Sequence, residues 1–473
     1  MSKLEIREGE YGDKILAIEP GGIESIPEKD RHGKARNLFA TWVSPNMEFA
    51  TIYVGALAVI AFGLSFKQAV AGILLGNFLG SLGQYFLTQD GPKYGVPQMV
   101  IGRAAFGKIG NIIPSVLNAG AAGIGWFAVN SVSGAFALST LITKLSVATS
   151  LLLVVLVQVI VAFIGHNLVQ SIEKYLFPYL VVVFAIAGIY VLTNSKTHLG
   201  HAGAGGTPGG FLVLTAAVYG YAAGWNPFSA DYARYLPASE SPKKAGVAAG
   251  LGIFLSASAL QIVGAAAGTA GLHLFDTGNP TSDFTGLLPS FLGKLILIGI
   301  VLGSICANVL NIYSGAVSFL AIGFKLGSTY RRGVIAVIFG ILGFALAHAA
   351  INNPANNYEN FLLIMSYWIG PWLGVIAADK VLRKGASVEK LLFATRENIA
   401  GPIAFVVATA FSIWGFVNQT WGHGKSFKFV SGYFVKKQGS LGDITFLVGF
   451  AIAFVLYYLL ATKKVKAEQV ITK

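Results

Sequence analysis

Charge is scarce in this chain: Asp, Glu, Lys and Arg make up 12% of its 473 residues. Soluble domains carry about a quarter, so an ordinary water-facing surface is excluded. Cysteine is nearly absent. Cys306 stands alone inside an apolar run, which excludes an intrachain disulfide and reads as a small buried helix residue. No Cys or His cluster has zinc spacing, and no metal is expected. The phosphate-cradling G-x-x-x-x-G-K-[ST] loop is missing, which argues against ATP drive. Glycine-rich stretches lie in apolar runs or loops and do not follow a strand, so no dinucleotide cofactor is expected. No catalytic constellation survives inspection, and the chain is not read as an enzyme.

What is abundant is apolar surface. Hydrophobic residues make up 54%, and the mean hydropathy is +0.66. A membrane helix needs about 20 apolar residues, and the chain holds about twelve such stretches. They run Asn37–Gly63, Phe66–Thr88, Asn111–Ile142, Ser146–Gly165, Tyr175–Thr193 and Phe211–Phe228, then Ala245–Leu272, Leu288–Gly323, Gly333–Ala350, Tyr358–Leu382, Ile399–Val417 and Ile444–Ala461. The expectation is an all-α polytopic membrane protein with one transporter domain over residues 37–461. Tails of residues 1–36 and 462–473 flank it, the first partly disordered. No cleavable signal is visible, because the first 36 residues are polar and charged.

The formal net charge is +13. With both termini placed in the cytoplasm, roughly three quarters of the Lys and Arg residues fall on that side, as the positive-inside rule requires. Exceptions collect in the last outer loop, at Lys425, Lys428, Lys436 and Lys437. The basic balance thus marks a cytoplasmic face in a cell membrane and not a nucleic-acid partner.

Two spans look interrupted. The first holds Trp42-Val-Ser44-Pro45-Asn46, and the sixth holds Tyr221-Ala-Ala-Gly224-Trp225-Asn226-Pro227. Proline removes a backbone donor and clashes with the preceding turn. Unwound backbone inside a membrane is tolerated where it lines a cavity, so paired breaks point to a transporter's binding site. The competing reading is two ordinary proline kinks. In the third span Trp126 and Asn130 share one helical face, giving a ring to stack on and an amide to read an edge. The Gly72, Gly76, Gly80, Gly83 stripe of the second span reads as close helix packing.

The segment Gly95-Val-Pro97-Gln98-Met-Val-Ile-Gly-Arg103-Ala-Ala-Phe106-Gly107 resembles the inner-loop signature of the nucleobase:cation symporter-1 family. Tyr219 to Tyr232 resembles that family's sixth span, Asn308-Val-Leu-Asn311-Ile-Tyr313-Ser314 its eighth, and Tyr367-Trp-Ile-Gly-Pro371-Trp its tenth. The resemblance leans toward the purine-cytosine permease branch. It implies a leucine-transporter-type fold: a 5+5 inverted repeat with broken helices 1 and 6, plus two terminal helices. It also implies a planar base held between Trp126 and Trp225, with Asn130, Asn308, Asn311 and Ser44 at the polar positions. The asparagines could equally serve as interhelical glue.

Two departures bear on the driving ion and the substrate. Where cytosine-permease relatives place sodium-binding hydroxyls, this chain has Cys306 and Ala307. Leu310 stands where fungal relatives place a proline. Glu48, two residues past Asn46, is the one acidic residue well inside the first span, and the pair is the candidate for cation coupling. Asp231 with Arg234 reads as an ion pair or a cytoplasmic gate, and His166 beside Asn167 as a weaker proton relay. The expected function is a symporter importing a purine base or cytosine with a proton, in preference to sodium, by alternating access. The alternatives are the same fold carrying allantoin, a hydantoin or a pyridoxine-like ring, or, from another class, a passive channel or a transceptor.

Overall fold

The computed structural model describes residues 22–164, 166–196, 206–270, 278–324, 331–351, 354–421 and 428–472. Lys425, the start of the loop at His273, and the side chains of His166 and Asn167 lie outside them. Nine helices among the described residues are long and apolar enough to cross a membrane. The pair Asn37–Asn46 and Phe49–Ile60, bent by 59°, forms the first span. Pro208–Ala223 and Ala400–Phe416 supply the shorter sixth and eleventh spans.

Local chemistry sets the boundaries. The second span, Phe66–Thr88, begins at a capping box in which Ser65 and Gln68 satisfy each other's backbone donors. The third runs Ile112–Leu141 as one rod. The fourth is Val147–Ile164, and the fifth starts at His166, well before the apolar run at Tyr175. The seventh is Pro242–Gly268, capped by the Ser241 hydroxyl. Spans 8, 9 and 10 are Ser290–Ala321, Arg331–Ala350 and Pro354–Arg383. The twelfth extends Thr445–Thr472, through most of the stretch read as a C-terminal tail. Hydropathy ends at Ala461, but Glu468 holds the extension by bonding Arg383 at 3.1 Å and Arg396 at 2.5 Å.

One element departs from an all-α pattern. Asn418–Trp421 pairs antiparallel with Lys428–Ser431 in the loop between spans 11 and 12. Both strands carry β-branched and aromatic residues that suit a pleated ribbon.

Packing divides the molecule into two groups. Span 2 lies against spans 6 and 7, and span 7 against both halves of span 1. Span 8 lies against spans 3, 4, 5 and 9. Small residues bring the first group close. A Cβ on Gly76 would lie 2.7 Å from the Thr215 carbonyl oxygen, and one on Gly80 2.6 Å from Ala222. A Cβ on Gly55 would collide with the Gln261 carbonyl, and one on Gly264 with that of Ile52. The glycine stripe of span 2 is therefore packing against span 6, as read from its spacing.

The inner-loop signature proves to be a brace. Arg103 donates to the carbonyls of Ala321 (2.8 Å) and Leu392 (3.2 Å). Gly107 has φ +72° and abuts Asn398, a place only glycine fills without strain. The motif thus ties the loop between spans 2 and 3 to the end of span 8 and to the segment between spans 10 and 11.

Candidate functional site

Trp126 ends a π-helical stretch, Ala121–Trp126, inside the third span. Such wide turns are rare and often mark functional sites. The sequence permits one here because Gly123 and Gly125 leave room for the rings of Phe339 and Phe361. The buried indole meets Tyr221, Tyr358 and Phe361 edge-on, with centroids 5.6, 6.4 and 4.9 Å away. A Cβ on Gly224 would lie 3.0 Å from the indole. The ring therefore lies directly on the break of the sixth span.

Trp225, the next residue, turns the other way. It packs edge-on against Trp42 (5.7 Å) and Phe228 (5.6 Å). Its Nε1–H donates to Asn46 Oδ1 at 3.2 Å. The two tryptophans flank the break and make no ring contact with each other.

Asn46 clamps the two breaks together. Its oxygen also accepts from the Tyr221 hydroxyl at 2.9 Å, and its nitrogen donates to the Trp42 carbonyl (2.7 Å) and Ser256 (3.1 Å). Thr51 donates to the Asn46 carbonyl at 2.7 Å and lies 2.5 Å from the Tyr221 hydroxyl. The carboxamide spends both ends on protein. Glu48 is the N-cap of the second half of the first span, its carboxylate accepting from Ala50 N (2.9 Å) and Thr51 N (3.2 Å). Span 8 lies close behind it, since a Cβ on Gly303 would sit 3.0 Å from Glu48 Cβ. Ser44 is buried and donates back to the Ala40 carbonyl at 3.0 Å, a bond within its own helix.

The three asparagines converge. Asn130 Nδ2 donates to Asn308 Oδ1 at 3.1 Å, and Asn311 Nδ2 donates to the same oxygen at 3.3 Å. Asn308 Nδ2 in turn faces the Phe127 carbonyl (2.9 Å), Ser131 Oγ (3.0 Å) and Gln158 Oε1 (3.1 Å). Asn308 thus has no hydrogen-bonding capacity left, whereas Asn311 Oδ1 is buried without a partner.

The two faces of the molecule differ. A cavity of about 390 Å³ reaches from Phe361 and Tyr358 toward Asn357 and Pro280, walled by Phe49 and Tyr53. It contains none of the candidate polar residues. It is a vestibule beside them, and Trp126 separates the two. The opposite, basic face is shut. Arg234 donates to the Gly22 carbonyl (2.8 Å) and to the hydroxyls of Tyr313 (2.9 Å) and Tyr235 (3.3 Å). Asp231 accepts from Gln98 N at 2.9 Å. Asp231 and Arg234, expected as an ion pair or a gate, both lie in this layer, which joins span 6 to span 8.

Residues 22–36, read as tail, form a strap across that layer. Ile26 N donates to the Gly95 carbonyl (3.0 Å), and His32 N to the Tyr235 carbonyl (2.7 Å). Arg31 reaches the Pro92 carbonyl at 2.8 Å.

Residues 25–449 match the family described as permeases for cytosine/purines, uracil, thiamine and allantoin. The chain belongs to this family. The permease is 29% identical to the Bacillus subtilis protein YxlA, over 95% of this chain and 97% of that one. It is 27% identical to the purine-cytosine permease fcyB of Emericella nidulans, over 96% and 92%. A solved structure of Mhp1, a nucleobase-cation-symport-1 family transporter closed around bromovinylhydantoin, superposes with a TM-score of 0.72. That overlay covers 96% of each chain at 17% identity. The fold is the leucine-transporter type, with two inverted five-helix repeats and two terminal helices. The permease is an integral membrane transporter.

Sequence reasoning missed several residues that hold this permease's site. Tyr221 and Thr51 knit the breaks, Tyr358 and Phe361 ring Trp126, and Gln158 with Ser131 orients Asn308. Gln158 carried a legible signal, being the one amide in an otherwise apolar fourth span. The ring around Trp126 carried none, since aromatic residues are common in every span.

Proposed function

We propose that this permease imports a purine base or cytosine together with a proton, by alternating access. The observation that carries the reading is the closure of Trp126 over Gly224. A stacking ring resting on the sixth-span break, with a vestibule on one side and a sealed face on the other, suits a planar ligand entering between Trp126 and Trp225. Stacking on aromatic faces contributes about 1–3 kcal/mol per base and tolerates base identity. Discrimination then falls to the asparagines. Family membership and the resemblance to fcyB support the substrate class.

The basic face lies in the cytoplasm, with both termini, in a cell membrane. This follows from the positive-inside rule. Residues 37–461 act as one transporter domain between the two terminal segments. The vestibule then opens outward, and the Arg234 layer with its strap closes the inner side. A closed inner side distinguishes a transporter from a channel, which needs a continuous polar lining.

The coupling ion is a proton. Sodium prefers hard oxygen ligands, and Cys306 and Ala307 provide neither hydroxyl. Glu48 offers a titratable carboxylate at the first-span break, against span 8, where the two helix groups meet. Asn46 supports this position by holding the breaks together. In reconstituted vesicles, uptake of labelled cytosine or adenine should rise with an inward proton gradient and collapse with a protonophore. It should be indifferent to replacement of sodium by choline. Strict sodium dependence at constant pH would refute the proton claim. Preferential uptake of uracil, allantoin or pyridoxine in competition assays would move the substrate to the other branches.

A further inference from the structure

We infer that Gln158 and the Phe127 carbonyl, acting through Asn308, fix the hydrogen-bond polarity of the asparagine cluster, so that the site favours N–H donors from its ligand. The inference rests on the reading that Asn130 and Asn311 face the substrate.

The argument starts from two main-chain carbonyls, which can only accept. The Phe127 carbonyl lies 2.9 Å from Asn308 Nδ2, and the Ser304 carbonyl lies 3.2 Å from Gln158 Nε2. Each contact settles which end of its amide is nitrogen. Turning Asn308 over would set its oxygen against the Phe127 oxygen and Gln158 Oε1. Turning Gln158 over would set oxygen against the Ser304 carbonyl. Gln158 Oε1 therefore faces outward from span 4 as an acceptor, taking the Ser131 hydroxyl at 2.9 Å and Asn308 Nδ2 at 3.1 Å. All of these groups are fully buried.

With Asn308 fixed, its oxygen is the only group it can turn to its neighbours. Asn130 and Asn311 must each give that oxygen an N–H. Their own carbonyl oxygens, with the second N–H of each amide, are then the groups left over, and of these the buried Asn311 oxygen is the one without a partner. Asn311 Oδ1 is buried with no protein partner, an arrangement that costs about 1–3 kcal/mol until a donor reaches it. A ligand whose presented edge carries N–H groups relieves this cost. A ligand without them leaves it standing. Gln158 acts as a positioning residue: it touches no ligand but helps to decide which ligand edge is accepted.

The test compares ligands that differ by one donor and no added bulk. Purine lacks the amino group of adenine, and 2-pyrimidinone lacks that of cytosine. In the purified wild-type protein, donor removal should weaken binding about 10- to 100-fold. Acceptor removal, as in 7-deazaadenine, should cost less. Gln158→Met removes one of the two acceptors that bar Asn308 from turning over and leaves the Phe127 carbonyl as the other, so the adenine-to-purine ratio should shrink partway, about two- to tenfold. Ser131→Ala should shrink it partway. Gln158→Glu should preserve it, because a protonated carboxyl keeps both the acceptor for Asn308 and the donor for Ser304.

A purely structural Gln158 would weaken all ligands in parallel and leave the ratio unchanged, which overturns the inference. So would a wild-type protein more sensitive to acceptor loss than to donor loss. Unaltered binding in both Asn130→Ala and Asn311→Ala is a different result: it removes the proposed binding site itself.

Discussion

Trp126 is positioned by a π turn that exists because Gly123 and Gly125 yield space to phenylalanine rings. Trp126→Ala should weaken nucleobase binding by about 1–3 kcal/mol, while Trp126→Phe retains part of the stacking. Equilibrium binding to purified protein reads both. Equal affinity in wild type and Trp126→Ala would place the ligand elsewhere. Trp225 behaves differently. Beyond its ring, its N–H bonds Asn46 across the two breaks. Trp225→Phe should therefore lose transport rate while keeping much of its affinity, and Trp225→Ala should lose both. A Phe variant with wild-type kcat and KM would make the bond incidental. The asparagine positions were legible because amides are costly inside a membrane span. Their mutual bonding was not, because spacing along one helix says nothing about which residue on another helix answers it.

At the scale of the element, the first-span break is a cap as much as an interruption. Glu48 closes the N-terminus of Phe49–Ile60 by taking two backbone N–H groups. Glutamine keeps one acceptor oxygen for this cap and carries no charge. Glu48→Gln should therefore fold and exchange substrate but fail to concentrate it along a proton gradient. Glu48→Ala should in addition lose about 1 kcal/mol of stability with the cap. Thermal melts and gradient-driven uptake together separate the effects. Undiminished gradient-driven accumulation in Glu48→Gln would clear this residue of proton carrying. Both breaks were visible in the sequence from their prolines, and the second span's ends from its apolar run. The twelfth span's extension was hidden because charged residues pair with partners that lie far away in the chain. The hairpin at Asn418–Trp421 was hidden because a short edge ribbon hardly disturbs a helical hydropathy profile.

For the whole molecule, the decisive asymmetry is a vestibule on one face and a sealed layer on the other. Arg234, Tyr235 and Tyr313 join the two helix groups, so loosening them should favour opening toward the basic face. Tyr313→Phe removes one acceptor of Arg234 and should raise the reactivity of Cys306 toward a small maleimide, about two- to tenfold for a loss near 1 kcal/mol. Arg234→Gln should raise it further. Unchanged labelling in both variants would show that the layer does not control access. The membrane-spanning architecture could be read from composition and periodicity alone. The sealed layer could not, since it depends on residues 22–36 reaching loops remote in sequence.

That strap has a consequence for how the protein is made. Its bonds join Ala238 N to Glu28 and Ala35 N to Glu240, pairs separated by 210 and 205 residues. Residues 22–36 are translated before these partners, and the partners at Tyr235, Ala238 and Glu240 emerge only after six spans have been threaded into the bilayer. The strap can bond the loop between spans 2 and 3 early, but its remaining bonds must wait until the sixth span is in place. Long-range closures of this kind come late and leave surfaces exposed meanwhile. The sealed layer is thus the closing stitch of biogenesis, and a half-inserted chain is an unsealed one.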